Sequence, residues 1–510
     1  MKLHDLIVGG ETGGTRADGG AGASGARIVG DPAVEVGDLA YDSRKVRPGT
    51  LFFCVPGEKV DGHEFAGAAV EAGAVGLVVE RELDLDVTQV VVSDARAAMA
   101  PLAARFFGDP TGELRVVGVT GTNGKTTTAF LIREVLEAAG IQCGLLGTVR
   151  QVVGGMEEGA ERTTPEAIDL QATFRRMLEA GDRACAMEVS SHALALHRAD
   201  AIHFEVALFT NLTQDHLDFH RTMEEYFESK RLLFEMGPGT SIVNADDPYG
   251  RRLAEELECV TFSPAGAEAD FAAHDVSYDA AGAQFTVKYP PTGLKPDSES
   301  GFRPVGGGVA VWTGLPGDFN VANSLGAFAA ARALGVDPEV AAGGLARAER
   351  VPGRFEPVEG GQEFAVLVDY AHTPDSLENV LRAARRLTEG DLIVVFGAGG
   401  DRDREKRPLM GRAAAELADL AIVTSDNPRS EDPGSIVAEV LAGTENGAAV
   451  AAIEVEPDRR AAIALALGRA RPGDAVVIAG KGHEQGQEFE DGRKVPFDDR
   501  EVACEELQKL

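Results

Sequence analysis

Residues 116–128 read Val-Val-Gly-Val-Thr-Gly-Thr-Asn-Gly-Lys-Thr-Thr-Thr. A β-rich run ends there in a loop of small residues, and a helix-forming segment follows at once. Gly121 and Gly124 have no Cβ, so the backbone can curl closely around an anion. The N–H groups of Gly121, Thr122, Asn123 and Gly124, with the helix start at Thr126 and Thr127, favour phosphate. Lys125 would reach the β- and γ-phosphates, and the Thr126 hydroxyl would sit on Mg²⁺. The pattern is shorter than a full Walker A motif, because Val119 stands where its first glycine belongs. The chemistry this stretch predicts is the binding of nucleotide phosphates, those of ATP.

Two clusters of acids and histidines follow. Glu188, in Met187-Glu-Val-Ser-Ser-His192, trails an apolar run, and ligands of open α/β sheets sit beyond strand carboxyl ends. The segment Thr210–His220 also trails a strand pattern and crowds Asp215, His216, Asp218 and His220 into six residues. Acidic and histidine side chains beside a phosphate loop point to Mg²⁺ and nucleotide chemistry. Lys230 lies in Glu224-Glu-Tyr-Phe-Glu-Ser-Lys-Arg231 and reads by pattern as an exposed helix lysine. Later, Asp369-Tyr-Ala-His-Thr-Pro374 ends a strand and caps a helix, which turns His372 toward a strand-end crevice. The glycine-rich turn Gly397–Arg404 carries Arg402 and Arg404 and suits a carboxylate or phosphate. Thr424–Arg429 and Gly480–Glu484 follow two further strands. The three polar strand-end loops 397–404, 424–429 and 480–484 read as the walls of a ligand site.

The elements that must position these residues are legible as hydrophobic runs. A first α/β domain is expected over residues 1–112, with residues 9–26 a mobile loop or tail of small residues. Within it, 65–72 and 95–107 read as helices and 75–79 as a buried strand. A central P-loop domain is expected over 113–350. Its strands lie at 184–189, 206–210 and 240–244, and its helices at 126–139, 166–180 and 222–236. A Gly- and Pro-rich stretch over 264–310 predicts a small antiparallel excursion, and an Ala-rich helix over 320–334 closes the domain. From 351 to 510, strands at 364–369, 391–397, 420–425 and 474–479 alternate with helices at 374–388, 407–418, 433–442 and 457–468. That alternation predicts a doubly wound, Rossmann-like parallel sheet. The fold class is therefore α/β in three domains.

Composition bounds the partners. Hydrophobic residues make up 44% and charged residues 26% of the 510 residues, as in a globular protein with several cores. The net charge of −33 argues against nucleic acid or an anionic membrane as the main partner. The five cysteines include no C-x-x-C pair, which suits a reducing compartment and gives no zinc site or disulfide framework. No signal peptide or membrane-length apolar run is apparent, so a cytoplasmic, monomeric protein is expected.

Taken in order, these motifs resemble the Mur ligases of bacterial cell-wall synthesis. The resemblance rests on Thr120–Thr127, Glu188–His192, Asn211–Asp218, Asp369–Pro374, Gly399–Arg404, Asp426–Arg429 and Gly480–Glu484, and covers roughly residues 39–500. It implies an ATP-dependent amide ligase working through an acyl phosphate. Ser43, in Tyr41-Asp-Ser-Arg44, matches a uridine-contacting position. Thr163, Thr164, Ser190 and Arg198 match contacts to a UDP-N-acetylmuramoyl-dipeptide. Family members often carry Gln two residues before that arginine, where this chain has Leu196. Thr126, Glu188 and His216 match a Mg²⁺ shell, Lys125 a phosphate contact, and Asn320, Arg354 and His372 further ATP contacts. Lys230 matches a lysine carried as a carbamate, an anion that joins the metal shell and also faces the peptide substrate.

In the last domain, Arg402, Asp426, Asn427, Pro428, Arg429, Gly480 and Glu484 match the pocket for the incoming amino acid. The Asp-Asn-Pro-Arg form resembles the type that takes meso-diaminopimelate. Physical chemistry agrees, because Arg429 can pair bidentately with a distal carboxylate that lysine lacks. A lysine-adding member, a folylpolyglutamate synthase-like ligase and a P-loop ATPase switch are the alternatives.

Overall fold

The computed structural model describes residues 1–8, 25–57, 60–160, 162–290, 307–444 and 451–510. The tail expected over 9–26 lies outside the described residues except for its last two, as do 291–306 of the stretch 264–310. Two compact units divide the chain. One comprises Met1–Gly118, Ile141–Ala207 and Leu232–Gly239; the other comprises Val119–Gly140, Leu208–Arg231 and Thr240–Leu510.

The first unit opens with a five-stranded sheet in the order Arg27–Val29, Thr88–Val91, Ala74–Val79, Thr50–Phe53, Asp38–Ala40. Only Arg27–Val29 runs antiparallel to its neighbour. Leu51, Phe53, Val78 and Val90 bury one face against Met99 and Leu102 of the helix Ala95–Phe106. Asp94 starts that helix by accepting from the N–H groups of Arg96 and Ala97. Farther along, Ala184–Glu188 pairs in parallel with Cys143–Leu146, and the short strands Gln151–Val153 and Met156–Glu158 extend the sheet antiparallel. Ala184–Glu188 is buried throughout, so its last residue, Glu188, is delivered to the strand's carboxyl end as the pattern predicts.

In the second unit the phosphate loop opens the helix Lys125–Ala138, on which the helices Asp318–Ala333 and Pro338–Arg347 pack. Pro338–Arg347 is absent from the sequence reading, because its Ala-Ala-Gly-Gly centre has weak periodicity. Asp337 at its N-cap and Pro338 at its first position are the signals that mark it. The expected antiparallel excursion is present as Phe271–Asp279, Gly282–Lys288 and Gly308–Thr313.

The C-terminal part of this unit is a six-stranded sheet in the order Glu356–Pro357, Ala365–Asp369, Ala475–Ala479, Leu392–Phe396, Leu420–Val423, Ala452–Val455. All pairs but the first are parallel. Alternate residues of Leu392–Phe396 enter two different cores. Leu392, Val394 and Phe396 pack with Leu377, Leu381 and Met410, and Ile393 and Val395 with Ile463, Leu467 and Val502. A strand buried on both faces needs helices on both sides, which makes the sheet doubly wound. Because the strands are parallel, the loops at 369–374, 397–404, 424–429 and 480–484 all emerge at one edge.

Candidate active site

In the phosphate loop, Gly121 has φ 148° and Gly124 φ 85°, conformations that side chains rarely adopt. A Cβ on Gly121 would strike Thr210 Oγ1, and one on Gly124 would strike Asn323 Oδ1. The loop is held from behind. Thr122 N donates to Asn211 O and Asn123 N to Asn211 Oδ1, both at 2.9 Å. Lys125 Nζ donates to the carbonyls of Gly121 and Thr122 at 2.9 and 2.8 Å, so its ammonium lies in the curl of the loop. Gly124 supplies no side-chain cap to the helix Lys125–Ala138, which keeps its N-terminus suited to an anion.

Lys230 is not the surface lysine its local pattern suggests; it is 1% exposed. Its Nζ donates to Gly121 O at 2.8 Å and lies 4.5 Å from the centre of the Tyr226 ring. Burial, and then the charge on Lys125, push its amine well below the ordinary lysine range. A signal for this was present in the sequence. Tyr226, Phe227, Leu233 and Phe234 form the buried stripe of the helix Met223–Glu235, and position 230 falls within it.

Asp215 sits against one lysine and two histidines. Its carboxylate lies 3.1 Å from Lys406 Nζ, 3.4 Å from His216 Nε2 and 3.7 Å from His372 Nε2. Burial raises Asp215, but Lys406, His216 and His372 outweigh it and hold the carboxyl well below its usual range. Burial, and then Lys406, push His372 below the ordinary histidine range. Asn123 Nδ2 donates to Asp375 Oδ2 at 2.8 Å. Arg354 lies over the Tyr370 ring at 4.6 Å and donates to Thr126 Oγ1 at 3.0 Å. Asn320 is buried beside Asn323 and accepts from its Nδ2 at 3.1 Å.

In the first unit, Glu188 is 1% exposed and accepts from Thr148 N at 2.7 Å and Thr148 Oγ1 at 3.2 Å. Thr163 Oγ1 lies 2.9 Å from that same Thr148 hydroxyl. Thr164 Oγ1 donates to Glu188 O at 2.9 Å and accepts from Ser190 N at 3.1 Å. Arg198 reaches Glu166 at 3.0 Å. Thr163, Thr164, Glu188, Ser190 and Arg198 therefore form one polar cluster. Ser43 stands apart, at the start of the short 3₁₀ turn Ser43–Lys45.

At the C-terminal sheet edge, Asn427 is fixed on both sides. Its Oδ1 accepts from Lys481 Nζ at 2.9 Å and Glu488 N at 3.0 Å, and its Nδ2 donates to Glu484 Oε2 at 2.9 Å. Lys481 is fully buried and also donates to Glu484 Oε2 at 2.7 Å. Asp426 is buried beneath Gly480, and the αL residue Arg429 turns its guanidinium toward Gly400 O, 2.6 Å away. Arg402 is exposed, with Nη1 donating to its neighbour's carbonyl at 3.1 Å.

Comparison with known proteins agrees with this geometry. The family profile described as Mur ligase middle domain matches residues 119–331, Mur ligase glutamate ligase domain 353–482, and Mur ligase family catalytic domain 35–106. The chain is 45% identical over 482 residues to the UDP-N-acetylmuramoyl-L-alanyl-D-glutamate–2,6-diaminopimelate ligase of Syntrophomonas wolfei, covering 93% of this chain and 95% of that protein. The chain belongs to the Mur ligase family. The like-named ligase of Streptomyces coelicolor is 46% identical over 492 residues, covering 94% of each chain. A solved Mur ligase structure with the same printed name superposes with a TM-score of 0.64 at 32% identity, covering 94% of this chain and 96% of that one.

Several residues of this Mur ligase's site escaped the sequence reading. Lys406, Lys481, Asp375, Asn323 and Glu488 gave no local signal, since each acts on a partner distant in sequence or across a loop. Among the described residues no three His, Cys, Asp or Glu side chains gather as a metal cage. Mg²⁺ takes one or two carboxylates and completes its shell with phosphate oxygens and water. By donor type, the Thr126 hydroxyl and His216 suit a metal within the second unit, and Glu188 does so within the first. The loop conformation itself is testable. Gly124→Ala should cost about 1–3 kcal/mol of stability through strain and its clash with Asn323, and should abolish nucleotide binding. Urea unfolding and titration calorimetry with ADP check both; unchanged values would contradict the fit.

Proposed function

We propose that this ligase joins meso-2,6-diaminopimelate to the D-Glu γ-carboxylate of UDP-N-acetylmuramoyl-L-alanyl-D-glutamate at the expense of ATP. The observation that carries the reading is Arg429, held by Gly400 and Glu488 at an edge built from four strand-end loops. A fixed guanidinium there matches a distal carboxylate, which diaminopimelate has and lysine lacks. The printed names of the ligases that share 45–46% of its residues support the same substrate.

In this reading residues 1–112 hold the uridine nucleotide through Ser43, 113–350 hold ATP, and 351–510 hold the amino acid. The loop N–H groups and Lys125 bind the phosphates of ATP. The D-Glu γ-carboxylate, placed by Thr163, Thr164, Ser190 and Arg198, attacks the γ-phosphorus. The bond to the β,γ-bridging oxygen breaks, ADP leaves and an acyl phosphate forms. Lys125 offsets the repulsion between the two anions as they approach. Thr126, Glu188, His216 and the carbamate of Lys230 would hold Mg²⁺, which would supply further positive charge at the phosphates. The diaminopimelate amine then attacks the acyl carbon, an amide forms and phosphate departs. Lys230, lowered in pKa and buried, is an amine that can add to CO₂, giving up a proton and becoming an anionic carbamate beside the phosphate loop.

Phosphate release tests this directly. Release from ATP should require both the UDP-MurNAc-dipeptide and diaminopimelate, and lysine should not replace the latter. Release indifferent to both substrates would overturn the ligase reading, and equal use of lysine would overturn the substrate assignment.

A further inference from the structure

The phosphate loop is held from behind by another loop. Thr122 N and Asn123 N donate to Asn211, and Thr210 Oγ1 donates to Asn123 O at 2.6 Å. Thr122 Oγ1 donates to Thr213 O at 3.2 Å and accepts from Thr213 N at 3.0 Å. These partners lie in 210–213, between the strand Phe204–Phe209 and the short helix Leu217–His220. Two loops that hold only each other can shift together, so one of them needs a rigid reference.

The helix Met223–Glu235 supplies it. Tyr226 is 1% exposed, and its hydroxyl lies 3.2 Å from Thr122 Oγ1. The one proton of Thr122 is spent on Thr213 O, so the phenol is the donor. One turn on, Lys230 sits over the Tyr226 ring and donates to Gly121 O. Residues four apart share a helix face, so this face holds two consecutive loop residues, Gly121 and Thr122. The ring is itself fixed. His220, 3% exposed, stacks on it with ring centres 5.0 Å apart, and Ser229 Oγ lies 3.2 Å from His220 Nδ1. The helix is anchored in turn to the helix Pro248–Glu256. Phe227 packs on Tyr249 at 5.1 Å, and Arg252 reaches Glu224 and Glu228 at 2.7 and 3.2 Å. Loop N–H groups that already point correctly bind an anion without a further cost of ordering.

We propose that Tyr226 is a positioning residue for ATP, holding the phosphate loop in its anion-binding curl through its hydroxyl on Thr122. This rests on the ATP reading of the loop and is independent of which amino acid the ligase adds. It also gives a use to His220, conspicuous in the sequence as one of an acid and histidine cluster.

ADP binding by the full chain, read by titration calorimetry, tests this alongside phosphate release. Tyr226→Phe keeps the ring under Lys230 and removes only the hydroxyl. It leaves Thr122 Oγ1 paired, since both contacts to Thr213 remain. The Kd for ADP should rise about fivefold, the scale of one neutral hydrogen bond. The KM for ATP should rise with it, while kcat at saturating ATP stays within about twofold of wild type. Thr122→Val completes a double-mutant cycle. In that background Tyr226→Phe should weaken ADP binding no further, because its partner is already gone. An unchanged Kd in Tyr226→Phe would make Tyr226 a packing residue only and overturn the inference. Effects that multiply in the double variant would place the action of Tyr226 away from Thr122 and overturn it equally. A fall in kcat with the KM for ATP unchanged would also overturn it, by placing Tyr226 at the reacting centre. Wild type that binds no ADP would overturn the nucleotide reading of the loop itself, which the other outcomes leave intact.

Discussion

Lys230→Met abolishes ligation, lowering kcat on the order of a thousandfold, the scale seen when a charged group at a reacting centre is removed. Methionine keeps most of the volume of the stem beneath Tyr226 and removes the nitrogen that contacts Gly121 O. With no amine there is nothing to carbamylate, so added bicarbonate does not restore turnover. The same variant folds, and its stability isolates the role of the amine. Burial, then Lys125, depress the folded-state pKa of Lys230 below its unfolded value of 10.5. Between those two values the unfolded chain binds the extra proton, so the stability of the CO₂-free wild type rises with pH across that interval. Lys230→Met lacks this slope and is at least as stable at pH 7, the advantage shrinking as pH approaches the unfolded value. Urea unfolding across this range, with phosphate release at each pH, measures both. Full activity in Lys230→Met would eliminate the catalytic role.

Asp215→Ala carries the second large effect, and it acts on stability and turnover together. Asp215 and Lys406 have side chains only 6% exposed and lie 3.1 Å apart. Removing one partner of a buried ion pair typically costs about 3–5 kcal/mol, because the other charge stays buried without compensation. Turnover falls as well, since the carboxylate also lies against His216 and His372. The double variant Asp215→Ala with Lys406→Met separates the two effects. It should recover most of the stability and none of the activity. The acid limb gives an independent reading. The folded-state pKa of Asp215 is depressed, so its stabilisation is present above the ordinary carboxylate value of 3.8 and is lost as pH falls below it. Asp215→Ala should therefore flatten the decline in stability below about pH 4. An unchanged acid limb, or a double variant as unstable as Asp215→Ala, would refute the pairing.

The two residues behind these predictions were unequally visible in the chain. Asp215 could be picked out as part of an acid and histidine cluster, though its partner could not. Lys406 is 191 residues away and sits at the start of a helix that reads as ordinary surface. Lys230 was legible only if the apolar stripe of its helix was weighed above its charge. Helix Met223–Glu235 gains more by burying Tyr226, Phe227, Leu233 and Phe234 together than it loses by burying one amine whose pKa burial lowers.

What the amino-acid sequence determined by itself is what local chemistry controls. The glycines of 121–124 set the curl of the phosphate loop, since few other residues tolerate φ of 148° and 85°. The capping box of Thr373 and Ser376 starts the helix Pro374–Arg386, and the fully buried run Leu392–Phe396 specifies a strand covered on both faces. These patterns also fixed which loops would share an edge, because parallel strands present all their carboxyl ends together. The tertiary structure alone decided the electrostatic pairings. Asp215 with Lys406, Asn123 with Asp375, and Arg429 with Glu488 join segments separated by 191, 252 and 59 residues. A buried charge takes its pKa and orientation from whatever partner packing delivers, and no local pattern names that partner. The phosphate loop and the polar sheet edge were therefore written in the sequence, whereas the burial of Lys230 and the pairing of Asp215 with Lys406 exist only once the chain is folded.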